Sequence, residues 1–259
     1  MAFGPENRYA FGSVAVPRAD QAALDVGLRK YMLGVYNYMA SGLLLTGIIA
    51  LLVASTPSIT SLFWTMVATP RGVVVAPTLL GYAAMFSPLA FILVLSFGIN
   101  RLSAGTAQLL YWLFAAAMGL SLSNIFLVYT GASVARVFFI SAGMFAAMSI
   151  WGYTTQRDLT KMGSFMMMGL FGIIIASLVN MFIASTAMQF AISIIGVVVF
   201  VGLIAFDTQR IKSDYVAFAY AEGTEVAAKR TVFDALALYL NFINLFMLLL
   251  QLLGQRNSN

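Results

Sequence analysis

The chain has 259 residues, of which 61% are hydrophobic and only 9% charged, with a mean hydropathy of +0.93. Soluble domains carry about 25% charged residues; a chain this apolar cannot cover itself with a water-compatible surface and reads as an integral membrane protein. Zero Cys excludes disulfides, thiol catalysis and thiolate metal sites. Zero His removes the usual neutral-pH proton shuttle and excludes Ser-His, Cys-His and zinc-protease chemistry. The net charge of +5 would point to nucleic acid only on a soluble basic domain, and the sequence has none, so no nucleic-acid partner is expected.

In chain order, residues 1–27 show no apolar h-region near their start, so no cleavable signal peptide is expected. They read as a flexible cytosolic tail in front of one transmembrane domain, 28–259. A membrane helix needs about 20 mainly apolar residues. The charge-free runs then divide into seven spans, roughly 31–54, 74–98, 105–129, 134–154, 163–184, 188–207 and 231–253. Continuous apolar runs of this length predict helices, not ten-residue alternating barrel strands. After the first span, STPSITSLFWTMVATPRG (55–72) carries Pro57, Trp64 and Pro70 and reads as an interfacial loop or a short amphipathic helix. Pro88 is expected to kink the second span. In the third, Ala115, Gly119 and Ser123 recur every four residues and predict a small-residue seam for close helix contact. Met162–Phe206 holds no charge and is too long for one span; IASTAMQ (183–189) is its polar break, read as a tight turn.

Orientation follows from Lys and Arg. With the N-terminus in the cytoplasm, 11 of the 14 basic residues face inward, leaving Arg71, Arg136 and Arg256 outside. Trp151 and Tyr153 then form part of an inner aromatic belt. No internal repeat of transporter type is evident, so the chain is treated as one domain.

The polar residues within the spans are few, and an isolated Ser or Asn there, such as Asn180 or Gln251, reads first as an interhelical hydrogen bond. Asp207, in GLIAFDTQRIK (202–212), poses a sharper question: it is either the point where the membrane ends or a carboxylate inside the bundle. The seventh span favours the second reading. TVFDALALYLNFINLFMLLLQLLG places Asp234, Asn241 and Asn244 in line along one helix, and polar residues in a span face the bundle interior or a water-filled path.

These stretches carry a resemblance. AFDTQRIK, ALALYLNFINLF and the segment from INRLSAGTAQ to AAAMGLSLSNIF, taken together and in this order, resemble the transmembrane Bax inhibitor motif family, in its bacterial, Bax inhibitor-1-like branch. The resemblance covers everything after the tail. It implies an all-α membrane protein of seven transmembrane helices with the last helix central between two three-helix layers. It also implies a pH-sensitive calcium leak, in which two aspartates on the sixth and seventh helices pair at the cytoplasmic side of the pore. The first maps to Asp207; the second maps to Asn241, where this chain carries an amide. Asp207 with Asn241, Asn244 and Asp234 are thus the candidate gate and ion-pathway residues, with Asp207 the candidate calcium contact. An Asp–Asn pair can hydrogen bond but cannot titrate as two coupled carboxylates. Asp234, about 10 Å along the helix from Asn241, is not expected to replace the missing carboxylate.

The rival function is a non-conducting regulator that binds a membrane-bound ATP-dependent protease, for which the N-terminal tail would serve as a grip. An intramembrane aspartyl protease needs two facing aspartates and a Gly-x-Gly-Asp motif, which the chain lacks. No enzymatic activity and no cofactor are expected; the partners expected are the lipid bilayer, calcium as the transported ion, and that protease under the rival reading. The expected location is the cell (inner) membrane, multi-pass, with a cytoplasmic N-terminus.

Overall fold

The computed structural model describes residues 18–69, 72–98, 101–218 and 224–257. Of the N-terminal tail expected to serve as a protease grip, residues 1–17 lie outside the described residues, and the first helix begins at Arg18. The chain is helical almost throughout: α1 (Arg18–Ser55), α2 (Pro57–Phe63), α3 (Leu79–Gly98), α4 (Ala104–Leu122), α5 (Ile125–Val128), α6 (Gly131–Thr154), α7 (Thr160–Ile183), α8 (Thr186–Phe218) and α9 (Thr224–Leu253). Seven of these, α1, α3, α4 continued through α5, α6, α7, α8 and α9, are long and apolar enough to cross a membrane. This is the expected seven-helix bundle.

α9 is its axis. It packs against α1, α4, α6 and α8, while α1, α3 and α4 form a layer on one side and α6, α7 and α8 a layer on the other. Burial ranks the helices in the same order: 61% of the apolar stretch of α9 is buried, against 6% of α7. The outward residues of the outer helices, such as Phe97 on α3 and Phe182 on α7, are large and apolar, as a lipid-facing surface requires.

Local chemistry explains the element ends. Ser103 and Thr130 cap α4 and α6 by accepting from the backbone N–H groups of Thr106 and Ser133. The turn from α7 to α8 is as tight as expected: Ala184 takes a left-handed conformation (φ 53°), and the Asn180 Oδ1 accepts from the Ser185 N–H at 3.0 Å. α3 continues through Pro88 as one helix, and the Ala84 carbonyl that the proline cannot bond accepts from the Ser87 hydroxyl at 2.9 Å.

Two expectations need correcting. The segment after α1 is neither a plain loop nor an amphipathic helix alone: the short, seven-residue α2 leads into an antiparallel hairpin, β1 (Trp64–Thr69) with β2 (Gly72–Pro77), paired from Trp64↔Pro77 to Thr69↔Gly72. The second span accordingly starts at Leu79. Runs such as WTMVAT and GVVVAP are rich in β-branched residues, and a lone hairpin is marginal; this one is anchored by buried Trp64, whose indole N–H donates to the Ser123 hydroxyl at 2.7 Å. Ser123 thus receives the hairpin at the end of α4, while Ala115 and Gly119 supply the close contact with α1. A Cβ on Gly119 would meet Ile49 and the Thr46 carbonyl, and the Thr46 hydroxyl donates to the Ala115 carbonyl at 2.8 Å.

The second correction concerns Asp207. The sixth span does not end there: α8 continues to Phe218. α1 and α9 likewise begin before the apolar core, at Arg18 and Thr224. The extensions of α1 and α8 pack together, with the Tyr31 and Tyr215 rings 4.9 Å apart and Tyr215 filling the space beside Gly27.

Candidate functional site

The short sequence Asp207-Thr208-Gln209 on α8 sends three consecutive side chains to three different elements. Asp207, 9% exposed, accepts through Oδ2 from the Asn241 amide of α9 at 2.7 Å. Thr208, fully buried, exchanges a hydrogen bond with the Ser149 hydroxyl of α6 at 2.9 Å, and Ser149 in turn meets the Tyr36 hydroxyl of α1 at 2.5 Å. Gln209 spans the loop between α6 and α7, its amide donating to the Arg157 carbonyl at 2.8 Å and its carbonyl accepting from the Leu159 N–H at 2.8 Å. In that loop hydrogen bonds from the Thr160 hydroxyl and N–H hold the pKa of the Asp158 carboxyl below its ordinary value. Successive residues on a helix point about 100° apart, so one tripeptide can clamp three neighbours. α6 comes close enough to do this because Gly152 lies directly against the Ala205 backbone.

Both carboxylate oxygens of Asp207 are engaged. Arg210, one turn on, holds Oδ1 at 3.0 Å while Asn241 holds Oδ2. A buried carboxylate with two directed donors is well satisfied. Lys212 reaches the other way, donating to the Tyr153 carbonyl at 2.9 Å and lying 4.8 Å from that ring's centroid. The expected pairing of Asp207 with Asn241 is therefore present as a direct contact.

The other two predicted residues stand elsewhere. Asp234 is on α9, but its carboxylate accepts from the Tyr31 hydroxyl of α1 at 2.5 Å and does not meet Asn241 or Asp207. Arg210, Asp214 and Arg230 lie within electrostatic reach of it, so Arg210 acts on both carboxylates. Asn244 is exposed and donates to the Leu240 carbonyl of its own helix at 2.9 Å. As a calcium contact, Asp207 stands alone: no group of three or more carboxylates gathers among the described residues. A passing ion would therefore meet one carboxylate and neutral oxygens, not a cage of the kind that stores calcium.

Among the polar contributors, Tyr239 is not singled out by the sequence, while Asn180 and Gln251 make the interhelical hydrogen bonds expected of them. Tyr239 on α9 is fully buried and shares a hydrogen bond with Thr46 of α1 at 2.7 Å. Further along α9, Gln251 accepts from the Gln189 amide at 2.7 Å and the Ser193 hydroxyl at 3.0 Å, and Gln189 also accepts from Asn180 at 3.2 Å. α9 thus carries a series of polar contacts, Asp234 and Tyr239 toward α1 and Asn241 and Gln251 toward α8. They follow one another at intervals of five, two and ten residues, so they do not share one helical face and the helix period does not group them. Among the described residues no buried side-chain polar atom is left without a partner.

The sequence family described as "Inhibitor of apoptosis-promoting Bax1" matches residues 28–258, nearly the whole chain. The chain belongs to the Bax inhibitor family. It is similar to an uncharacterized protein of Rickettsia prowazekii, with 50% identity over 235 residues covering 90% of this chain and 93% of that protein. It is also similar to an uncharacterized protein of Caulobacter vibrioides, 44% identical over 250 residues (96% and 97% covered). A third relative is the inner membrane protein YbhL of Escherichia coli K12, 43% identical over 241 residues (93% and 98% covered). As a Bax inhibitor family member with seven apolar helices, the chain is a multipass membrane protein.

Proposed function

We propose that this Bax inhibitor family protein is a cation leak channel of the inner membrane, with calcium the principal ion, gated where α8 meets α9. One observation carries the reading: a buried carboxylate, Asp207, has one oxygen held from α9 by Asn241 and the other by Arg210. A cation arriving at Asp207 must displace Arg210, so the guanidinium acts as a tethered competitor that keeps the path shut. Opening then requires α8 and α9 to part at the Asn241 contact. In this reading the Asp207 end faces the cytoplasm, and the N-terminus with it.

A single carboxylate at the gate gives a single titration step. Replacing Asn241 by Asp supplies a second carboxylate in contact with the first; such a pair shares a proton and titrates as a coupled unit. The test is calcium flux into proteoliposomes that contain this protein alone, at about pH 6 and about pH 8. Flux above empty liposomes, a steeper pH dependence for Asn241→Asp, and loss of pH dependence for Asp207→Asn are the expected outcomes. Folded protein that passes no calcium at either pH sinks the proposal. Orientation is checked separately, with cysteines introduced at Ser13 and Thr224 into this cysteine-free chain; labelling of either by an impermeant reagent on intact cells would reverse the assignment.

A further inference from the structure

α1 and α6 are bridged by the Tyr36–Ser149 hydrogen bond, and open space lies between them along much of their length. A cavity of about 660 Å³ includes Asp25, Arg29, Tyr36, Ser149 and Tyr153 in its lining. A second, of about 520 Å³, is lined by apolar side chains, among them Met39, Leu43, Ala142 and Phe242, and by Gly47. Phe145 borders both, so the two form one groove. From Arg29 to Leu51 it follows about 33 Å of α1 at about 1.5 Å per residue, comparable to the hydrocarbon thickness of a bilayer. Its rims are exposed apolar residues: Leu33, Leu44, Ile48 and Ile150.

The two halves of the groove ask for different chemistry. The apolar half offers water no hydrogen-bond partner, and left empty it forfeits dispersion contacts along its walls. A peptide would bring unsatisfied backbone groups into it. Hydrocarbon meets neither objection. At Gly47 the groove has room to spare, because a Cβ added there would have nothing within 4 Å. The polar half presents one anion and one cation, Asp25 and Arg29, one turn apart on α1 and both exposed. Guanidinium recognises phosphate, and carboxylate recognises a primary ammonium.

We propose that this groove binds one zwitterionic aminophospholipid, with an acyl chain along Gly47 and Phe145 and its phosphoethanolamine headgroup bridging Arg29 and Asp25. A lipid with phosphate but no ammonium satisfies Arg29 and leaves Asp25 facing a like charge. The site is independent of ion conduction and stands whether or not the chain is a channel.

The test is native mass spectrometry of the full chain in detergent, titrated with phosphatidylethanolamine or phosphatidylglycerol. The wild type should hold one phosphatidylethanolamine about tenfold more tightly than phosphatidylglycerol, the margin of one charge-assisted hydrogen bond. Asp25→Asn should remove that preference, and Arg29→Gln should weaken both lipids about tenfold. Gly47→Phe, which fills open space, and Ala142→Phe on the opposite wall should each reduce binding of both lipids, with helical content by circular dichroism unchanged. Ile175→Phe, on the exposed surface of α7, should change nothing. Equal binding of the two lipids by the wild type would overturn the proposal. So would undiminished binding by the folded groove-filling variants, or a dimer that those variants abolish, which would make a second copy the occupant.

Discussion

α8 and α9 are joined at two levels, and the joints differ in kind. At one, Asp207 is buried and charged, held by Asn241 across the interface and by Arg210 from its own helix. At the other, Gln251 accepts from Gln189 and Ser193, all neutral, with both glutamines exposed. Neutral amides satisfy one another and tolerate exposure at modest cost. A buried carboxylate is stable only while its donors stay in place, and loses stability abruptly when one leaves. The neutral joint is a fastener; the charged joint holds only while its donors stay in place. This asymmetry is why the proposed gate falls at Asp207 and not at the neutral Gln251.

The comparison can be broken by substitution. Asn241→Leu should have the largest effect, destabilising the protein by about 1–3 kcal/mol because one Asp207 oxygen is left buried without its donor; thermal unfolding in detergent reads this as a lowered Tm. Asp207→Asn in the same background should recover part of the loss. Gln251→Leu should cost about 0.6 to 1.7 kcal/mol, the range for interhelical hydrogen bonds in membranes; a larger loss than Asn241→Leu would reverse the ranking of the two joints. Arg210 is 41% exposed, so Arg210→Gln should cost no more than about 1 kcal/mol at low salt, and less at high salt. The Gln251 joint should show no salt dependence, which sharpens the contrast. Asn244→Leu should change the Tm least, within about 0.5 kcal/mol, because its amide bonds only its own helix at the surface. A large loss there would mean that α9 presents another face to the bundle.

Much of this arrangement was legible in the sequence. The seven spans follow from charge-free run length, and the meeting of Asp207 with Asn241 is what the resemblance to the Bax inhibitor family implied. The end of α8 was not legible, because Asp207, Arg210 and Lys212 together look like the edge of a membrane. Only tertiary contacts, to Asn241 and to the Tyr153 carbonyl, show that the helix carries these groups inward and continues. Asn244 misleads for a geometric reason. Three residues turn a helix by about 300°, and the remaining 60° is enough to move a side chain from the interior at Asn241 to the surface. Asp234, seven residues before Asn241, does share its face, but about 10 Å of rise brings it to Tyr31 instead. The hairpin after α2 was hidden by its prolines, and its anchor depends on Trp64 reaching Ser123, 59 positions away.

The helix at the centre of the bundle is also the last of the seven to be synthesised. Until α9 enters the membrane, the six earlier spans have no axis to pack on. During that interval Asp207 lacks Asn241, Thr46 lacks Tyr239, and Tyr31 lacks Asp234. The two layers must wait in lipid with polar groups on their inner faces that lack their α9 partners. A chain cut short before residue 224 would remain in that condition permanently, a fully inserted protein with every outer wall and no interior. Completion of the last span is therefore the step that converts a set of inserted helices into a folded protein.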